Sequence, residues 1–390
     1  MRLGKAAVCA HRWQHPTSSL GGLVVVGIHV DLAGAGTYDL RMRQELKFAT
    51  TSDGVRLAFA VSGRGAPLVK AGHWLTHIER DAESPVWRHW TEFLSSENLL
   101  VRYDERGCGL SSRLYPSLTF EDWVSDLETI VEASGVDRFC LLGLSQGGPV
   151  AIAYAARHPE RVSRLVLCGT YVRGRLQRTT DPNAVEEAKA LIALTLTGWG
   201  KRNPAFRRLF TNLFIPGGSA EQATWFDDLQ QLSCSAEHAA RSREARYTVD
   251  VSDLAATLQV PTLVLHSRED AVVPFDLGRE VATLIPEARF VALNSANHVL
   301  LRTDPGWEQF RSELRAFVPA YQPGGVVADL TIREQHVMEL VAQGRDNQEI
   351  ATVLHLSVRT VERHLSNCYG KLGVRGKAAR AAAAAQFASR

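Results

Sequence analysis

Three short stretches carry side chains whose types and spacing could turn a hydroxyl into a nucleophile. The first is Gly143-Leu144-Ser145-Gln146-Gly147, where an apolar run of strand type ends shortly before a helical pattern resumes at Val150. In the spacing G-x-S-x-G between strand and helix, the serine sits on a turn too tight for side chains two residues to either side, so glycines occupy both places. Such a turn lifts Ser145 Oγ clear of the sheet and leaves backbone N–H groups free at a helix N-terminus, where an oxyanion can be held. A serine hydroxyl still needs a base to take its proton and a carboxylate to orient that base. The second stretch, His266-Ser267-Arg268-Glu269-Asp270, places Asp270 in a loop after the apolar run at 262–266, with Glu269 as the runner-up acid. The third, Asn294-Ser295-Ala296-Asn297-His298, places a histidine just past the run at 289–293. The expected roles are Ser145 as nucleophile, His298 as general base and acid, and Asp270 as the orienting carboxylate. The alternative is a glycine-rich turn with an ordinary serine and a surface histidine.

Those groups can meet only if the elements before them end on one rim. Strand-like runs at 45–50 and 55–62 join at Ser52-Asp53-Gly54, a hairpin turn signal. Further runs at 67–72, 99–104, 163–168, 262–266 and 289–293, with the one leading into the elbow, alternate with helical stretches around 85–94 and 120–134. Alternation of this kind means βαβ units and a mostly parallel sheet with an antiparallel hairpin at its leading edge, which gathers ligand groups at the strands' carboxyl ends. In helix 120–134, Asp122 and Asp126 are expected on the polar face. Lys70 lies inside a strand that should be buried, so it is expected to pair with Asp104 at the end of the neighbouring strand. Residues 171–258 break the rhythm with helical segments rich in bulky apolar residues, Leu191, Trp199, Phe210, Phe214 and Phe226 among them. An insertion near the elbow would lie over the pocket as a lid with an apolar inner face, although most of these residues are expected to form the lid's own core.

The C-terminal tail has a different character. Pro319-Ala320-Tyr321-Gln322-Pro323-Gly324-Gly325 is a linker by composition, taken as 319–328. A helix is expected to follow, opened by a capping box from Thr331 to Glu334 and ended at Gly344, then a short helix 347–354, then a third helix capped by Ser357. In the third helix Val358, Val361 and Leu365 point inward, while Arg359, Glu362, Arg363 and Ser366 share the outer face. Two helices joined by a short turn, the second exposing polar groups, form a helix-turn-helix. From Arg359 onward there are seven basic residues against one acidic residue, a local field that suits phosphate contact and that the whole-chain net charge of +2 conceals.

The remaining composition bounds the answer. A chain of 390 residues, 45% hydrophobic and 22% charged, has room for two or three globular domains. Its six cysteines form no C-x-x-C pair and no ligand-spaced cluster with histidine, so reduced thiols and a cytoplasmic protein are expected. His73 and His77 lie four residues apart without a third ligand at useful spacing, so neither a metal nor a cofactor is expected. No stretch approaches the ~20 apolar residues of a spanning helix, so no membrane partner is expected. Residues 1–44 read as a disordered or spurious extension whose run at 20–30 faintly resembles a signal peptide, and Met42 is a candidate start.

Over 45–318 the chain resembles the α/β-hydrolase fold family, on G-L-S-Q-G-G, the acid segment H-S-R-E-D-A-V-V-P, the N-H histidine segment and R-G-C-G-L-S at 106–111. The resemblance implies a mostly parallel sheet with a helical lid and an oxyanion hole made by the N–H of Gln146 and one N–H from the loop after the third strand. There the family's usual His-Gly aligns with Gly72-His73, which makes Trp74 the second donor and departs from the pattern. Over 329–390 the string L-T-I-R-E-Q…G-R-D-N-Q-E-I-A…L-S-V-R-T-V-E-R-H-L…K-L-G-V resembles the LuxR/GerE-type helix-turn-helix domain, a small all-α unit. That resemblance implies that Glu362, Arg363 and Ser366 face the major groove of double-stranded DNA, that Arg359, Thr360 and Lys371 contact phosphates, and that His364 is structural. It also implies a homodimer on DNA, paired through residues 371–382. The expected function is a transcription regulator whose hydrolase-like domain binds, with or without hydrolysis, a small apolar ester or lactone. The alternative is an active serine esterase or lactonase carrying an accessory DNA-binding domain.

Overall fold

The structure, a computed structural model, describes residues 44–199, 201, 203–318, 330, 332–354, 356–376 and 378–388. The expected extension (apart from residue 44), Met42, the linker and the capping Thr331 lie outside the described residues.

Eight strands form one sheet: β1 (Glu45–Thr50), β2 (Arg56–Ser62), β3 (Ala66–Lys70), β4 (Asn98–Tyr103), β5 (Phe139–Leu144), β6 (Val162–Cys168), β7 (Thr262–Ser267) and β8 (Arg289–Leu293). Their order is β1-β2-β4-β3-β5-β6-β7-β8. The leading hairpin is antiparallel and β2 runs antiparallel to β4, whereas every pairing from β4 to β8 is parallel. Parallel strands must be covered on both faces, and β5 and β7 are buried along their whole length. Alternate residues of β5 face opposite layers. Phe139 and Leu141 pack with helices α2 (Phe120–Ser134) and α3 (Gly147–Arg157), while Cys140, Leu142 and Leu144 pack with α1 (Arg88–Glu97), α10 (Pro305–Phe317) and part of the lid.

Helix α2 starts at a capping box between Thr119 and Asp122 and stops at Gly135, which takes the left-handed φ of 73°. Asp126 departs from expectation: it is buried, not on a polar face. The cause is Arg106, whose guanidinium lies under the helix and bonds Asp126 at 2.6 and 2.9 Å and Asp53 at 2.9 Å. The expected Lys70–Asp104 pair is also corrected, because Asp104 instead accepts the N–H groups of Ile78 at 2.9 Å and Leu110 at 2.8 Å. Among the described residues Lys70 has no ion pair within 4.0 Å; its ammonium lies 5.5 Å from the Trp87 ring, and burial pulls its pKa down to about 8.

The segment between β6 and β7 holds α4 (Pro182–Gly198), α5 (Pro204–Phe214), α6 (Ala220–Ser233), α7 (Ala236–Tyr247) and the short α8 (Ser252–Ala256), and α9 (Phe275–Leu284) follows β7. Trp199, Phe210, Phe214, Phe226 and Leu229 are buried there. No helix among the described residues is long and apolar enough to cross a membrane. The tail forms α11 (Ile332–Ala342), α12 (Asn347–Leu354), α13 (Val358–Lys371) and α14 (Ala379–Ala388) around their own core of Val337, Val341, Ile350, Val361 and Leu365. Residue 371 closes α13, so within the span 371–382 expected to pair, a new helix starts only at Ala379.

His89 gives the fold an acid-sensitive point. Its Nε2 donates to the Leu300 carbonyl at 3.1 Å beside the Trp307 ring, and burial lowers its pKa to about 4. Between that value and an unfolded pKa of about 6.5, the unfolded chain holds the extra proton, so stability falls as pH drops through this window. The loss of unfolding free energy between pH 7 and pH 5 is expected to be smaller in His89→Leu than in the parent by about 1–2 kcal/mol, read from urea melts at both pH values.

Candidate active site and nucleic-acid interface

Ser145 lies on the bend between β5 and α3 with a φ of 52°, the left-handed region that a β-carbon disfavours. The bend is clamped. Ser145 N–H donates to the Cys168 carbonyl at 2.9 Å, and Thr170 Oγ1 donates to the Ser145 carbonyl at 2.6 Å. The glycines are there for room: a Cβ on Gly143 would lie 2.8 Å from Gly148 Cα, and one on Gly147 would lie 2.6 Å from the Gly72 carbonyl oxygen.

The loops after β7 and β8 bring Asp270 and His298 to this bend. His298 Nε2 is 2.7 Å from Ser145 Oγ, and its Nδ1 is 2.6 Å from Asp270 Oδ2. Asp270 Oδ1 accepts the N–H groups of Val272 and Val273, each at 2.9 Å, which fixes the carboxylate's plane. All three side chains are buried, whereas the runner-up Glu269 is exposed. The lid takes part, because the Phe214 carbonyl accepts His298 N–H at 2.9 Å and the Phe214 ring stands edge-on to the imidazole at 5.2 Å. In this line Nδ1–H donates to the carboxylate, leaving Nε2 to accept the serine proton.

Gln146 and Trp74 border one small cavity with Ser145 and His298. Among the described residues neither backbone N–H has an acceptor, as groups awaiting an oxyanion would stand. The altered loop is held by His73, whose Nδ1 donates to the Trp74 carbonyl at 2.7 Å and whose ring stacks on Trp87 at 5.0 Å. Burial and the nearby Lys70 push the His73 pKa well below the usual value, so the ring is a neutral strut. The grouping among the described residues with metal-ligand types is Cys108, Cys234 and His238, whose donor atoms lie within 4.8 Å of one another. A hydrogen bond to Cys234 and burial hold the Cys108 thiol well above its usual pKa. Pairing a loop cysteine with one over a hundred residues away leaves no spacing signal in the sequence.

Next to the elbow opens a larger cavity of about 790 Å³, mouth included, with Gln146 and Trp74 at its base. Leu191, Phe210, Leu213 and Phe214 give it an apolar wall, as the lid's composition suggests. The sequence reading missed its arginines: Arg173, Arg175, Arg178, Arg243 and Arg246 all line it. Their signal was present in R-G-R-L-Q-R at 173–178 and R-S-R-E-A-R at 241–246, but charge runs of this kind are usually solvated.

In the tail, Ser357 Oγ accepts the Thr360 N–H at 3.1 Å and shares a hydrogen bond with Thr360 Oγ1 at 2.8 Å, starting α13. Arg359, Glu362, Arg363 and Ser366 are exposed along one side, Thr360 is half-buried, and His364 is buried. Lys371 is not free: its ammonium bonds Glu334 at 2.5 Å, and Glu334 is wholly buried. Glu334 thus reaches across to α13, and Lys371 balances a buried charge.

The chain matches the family model described as alpha/beta hydrolase fold over residues 82–305, and the one described as bacterial regulatory proteins, luxR family, over 328–384. It is similar to a pyrrolizixenacetamide deacetylase of Xenorhabdus hominickii, 26% identical over 275 residues that cover 67% of this chain and 94% of that protein. It is also similar to a putative carbamate hydrolase of Pseudomonas savastanoi pv. phaseolicola, 26% identical, covering 56% of this chain and 84% of that one. Among solved structures, a hydrolase from Pseudomonas aeruginosa shares the fold at a TM-score of 0.59 and 24% identity, covering 70% of this chain and 98% of that one. An esterase from Thermogutta terrifontis superposes at a TM-score of 0.57 and 25% identity, covering 70% and 97%.

Proposed function

Because the chain belongs to the alpha/beta hydrolase fold family and ends in a LuxR-type DNA-binding domain, we propose that it is a transcription regulator whose hydrolase-like unit, 45–318, binds a small ester or lactone. The observation that carries the reading is α13, which exposes Arg359, Glu362, Arg363 and Ser366 along one side of a helical unit with its own core. An exposed recognition helix of this composition has no use in an enzyme that works alone. Arg363 can donate to guanine and Glu362 can accept from cytosine, while Arg359 and Thr360 sit where the helix N-terminus meets phosphates. Binding as a homodimer, in the cytoplasm, follows the habit of such domains.

A second reading adds turnover. The Ser145–His298–Asp270 line and relatives named for deacetylation and carbamate hydrolysis support hydrolysis of the bound ligand, with Gln146 and Trp74 as oxyanion donors. Selection from a random duplex pool tests the regulator. Enrichment of a palindromic site is expected, and its absence at moderate salt would remove the reading. On the enriched duplex, Arg363→Ala is expected to cost about 1–3 kcal/mol in anisotropy titrations and to relax preference at one base pair.

A further inference from the structure

The large cavity beside Ser145 carries five arginines and no acidic side chain on its lining. Three of the five are neutralised from behind. Arg246 bonds both oxygens of Glu105 at 2.7 Å, Arg175 pairs with Glu187 at 2.7 Å, and Arg173 pairs with Glu280. Among the described residues the other two have no ion pair within 4.0 Å, although Glu280 lies near enough to Arg178 to act on its charge. Among the described residues Arg178 makes no hydrogen bond or ion pair, and burial makes its charge harder to hold. Arg243 donates to the Tyr247 hydroxyl at 3.2 Å, while its Nε and Nη2 are buried without a partner. Its guanidinium lies 4.5 Å from the Trp74 ring and 5.0 Å from the Phe210 ring. Those ring contacts offset part of the cost of burying the cation but accept none of its in-plane hydrogen bonds.

A buried guanidinium with unanswered N–H groups, in a cavity without acids, lacks an anion. We propose that the cavity takes a carboxylate-bearing ester or lactone: Arg243 and Arg178 hold its carboxylate, its chain lies on the apolar wall of Leu191, Phe210 and Leu213, and its carbonyl reaches Ser145. This names the ligand class of the site described above and rests on that site's being the ligand's place. A planar guanidinium fork matches a carboxylate edge to edge, which sets this ligand apart from a purely apolar ester of the same length.

Two matched probes test it on the full chain: 4-nitrophenyl hydrogen glutarate and 4-nitrophenyl pentanoate, whose acyl chains are equally long and differ by one carboxylate. The parent is expected to favour the glutarate ester in kcat/KM by about tenfold or more, through KM. Arg243→Gln and Arg178→Gln are expected to shrink that preference by about tenfold, with Arg243→Lys keeping part of it. Because the readout is a ratio, a general loss of folded protein cancels. Calorimetric titration of Ser145→Ala with monomethyl glutarate and methyl pentanoate gives the same comparison without turnover. Selective binding of monomethyl glutarate without hydrolysis by the parent upholds the anionic cavity while ending the hydrolase reading. Hydrolysis of both esters alike, or a ratio untouched by either arginine variant, overturns the carboxylate clamp while leaving the hydrolase reading in place.

Discussion

Ser145→Ala is expected to lower kcat/KM of the full chain on a short aryl ester such as 4-nitrophenyl butyrate by about 10⁴-fold or more. The hydroxyl is the atom that His298 Nε2 addresses at 2.7 Å, and the imidazole behind it is held by Asp270 at 2.6 Å. Residues acting as one unit lose nearly everything with any one member, because the base then has no proton to take. Alanine keeps the β-carbon and leaves the bend's clamps from Cys168 and Thr170 intact, since both act through the Ser145 backbone. The loss should therefore appear in kcat, with binding of unreactive ligands and of DNA unchanged. Equal background rates for parent and variant would reduce the domain to a binding module.

The second large effect is on stability. Arg106→Leu is expected to destabilise the hydrolase-like unit by about 3–5 kcal/mol, because removing one partner strands a buried charge. Arg106 is 1% exposed and faces Asp126, Asp53 and Asp122, with Asp126 equally buried. Leucine fills much of the space but leaves Asp126 without its two guanidinium bonds. A domain stable by roughly 5–15 kcal/mol loses a large fraction of that margin. The tail helices have their own core, so their melting should not move. A shift below about 1 kcal/mol in urea unfolding would show that water or side-chain movement satisfies Asp126 instead.

Asp126 also shows where sequence reading stops. The strands, the elbow, the two partner loops and the three tail helices were legible because each carries a local signature: alternation, glycine spacing, a cap or a run of apolar residues. Charges that fold inward carry none. Asp126 looks polar by helical position but meets an arginine 20 residues away, and buried Glu334 meets Lys371, 37 residues away. Lys70 invited the nearest acid in the sheet, yet backbone amides of Ile78 and Leu110 claimed Asp104 first. The arginines of the cavity were hidden for the opposite reason. Runs of charge on lid helices ordinarily face solvent, and only the packing of α7 (Ala236–Tyr247) against α4 sets Arg243 and Arg246 on the cavity wall with Gln146.

A regulator of this design requires that filling the cavity change how the chain holds DNA. An alkyl 4-nitrophenyl phosphonate, which bonds an activated serine and expels 4-nitrophenolate, can occupy the site stoichiometrically, with mass spectrometry reporting completion on Ser145. The most direct measurement is the Kd of fully modified and unmodified full-length protein for a selected duplex under one salt condition. The account predicts a difference of about fivefold or more between the two. The same Kd at complete modification would contradict it.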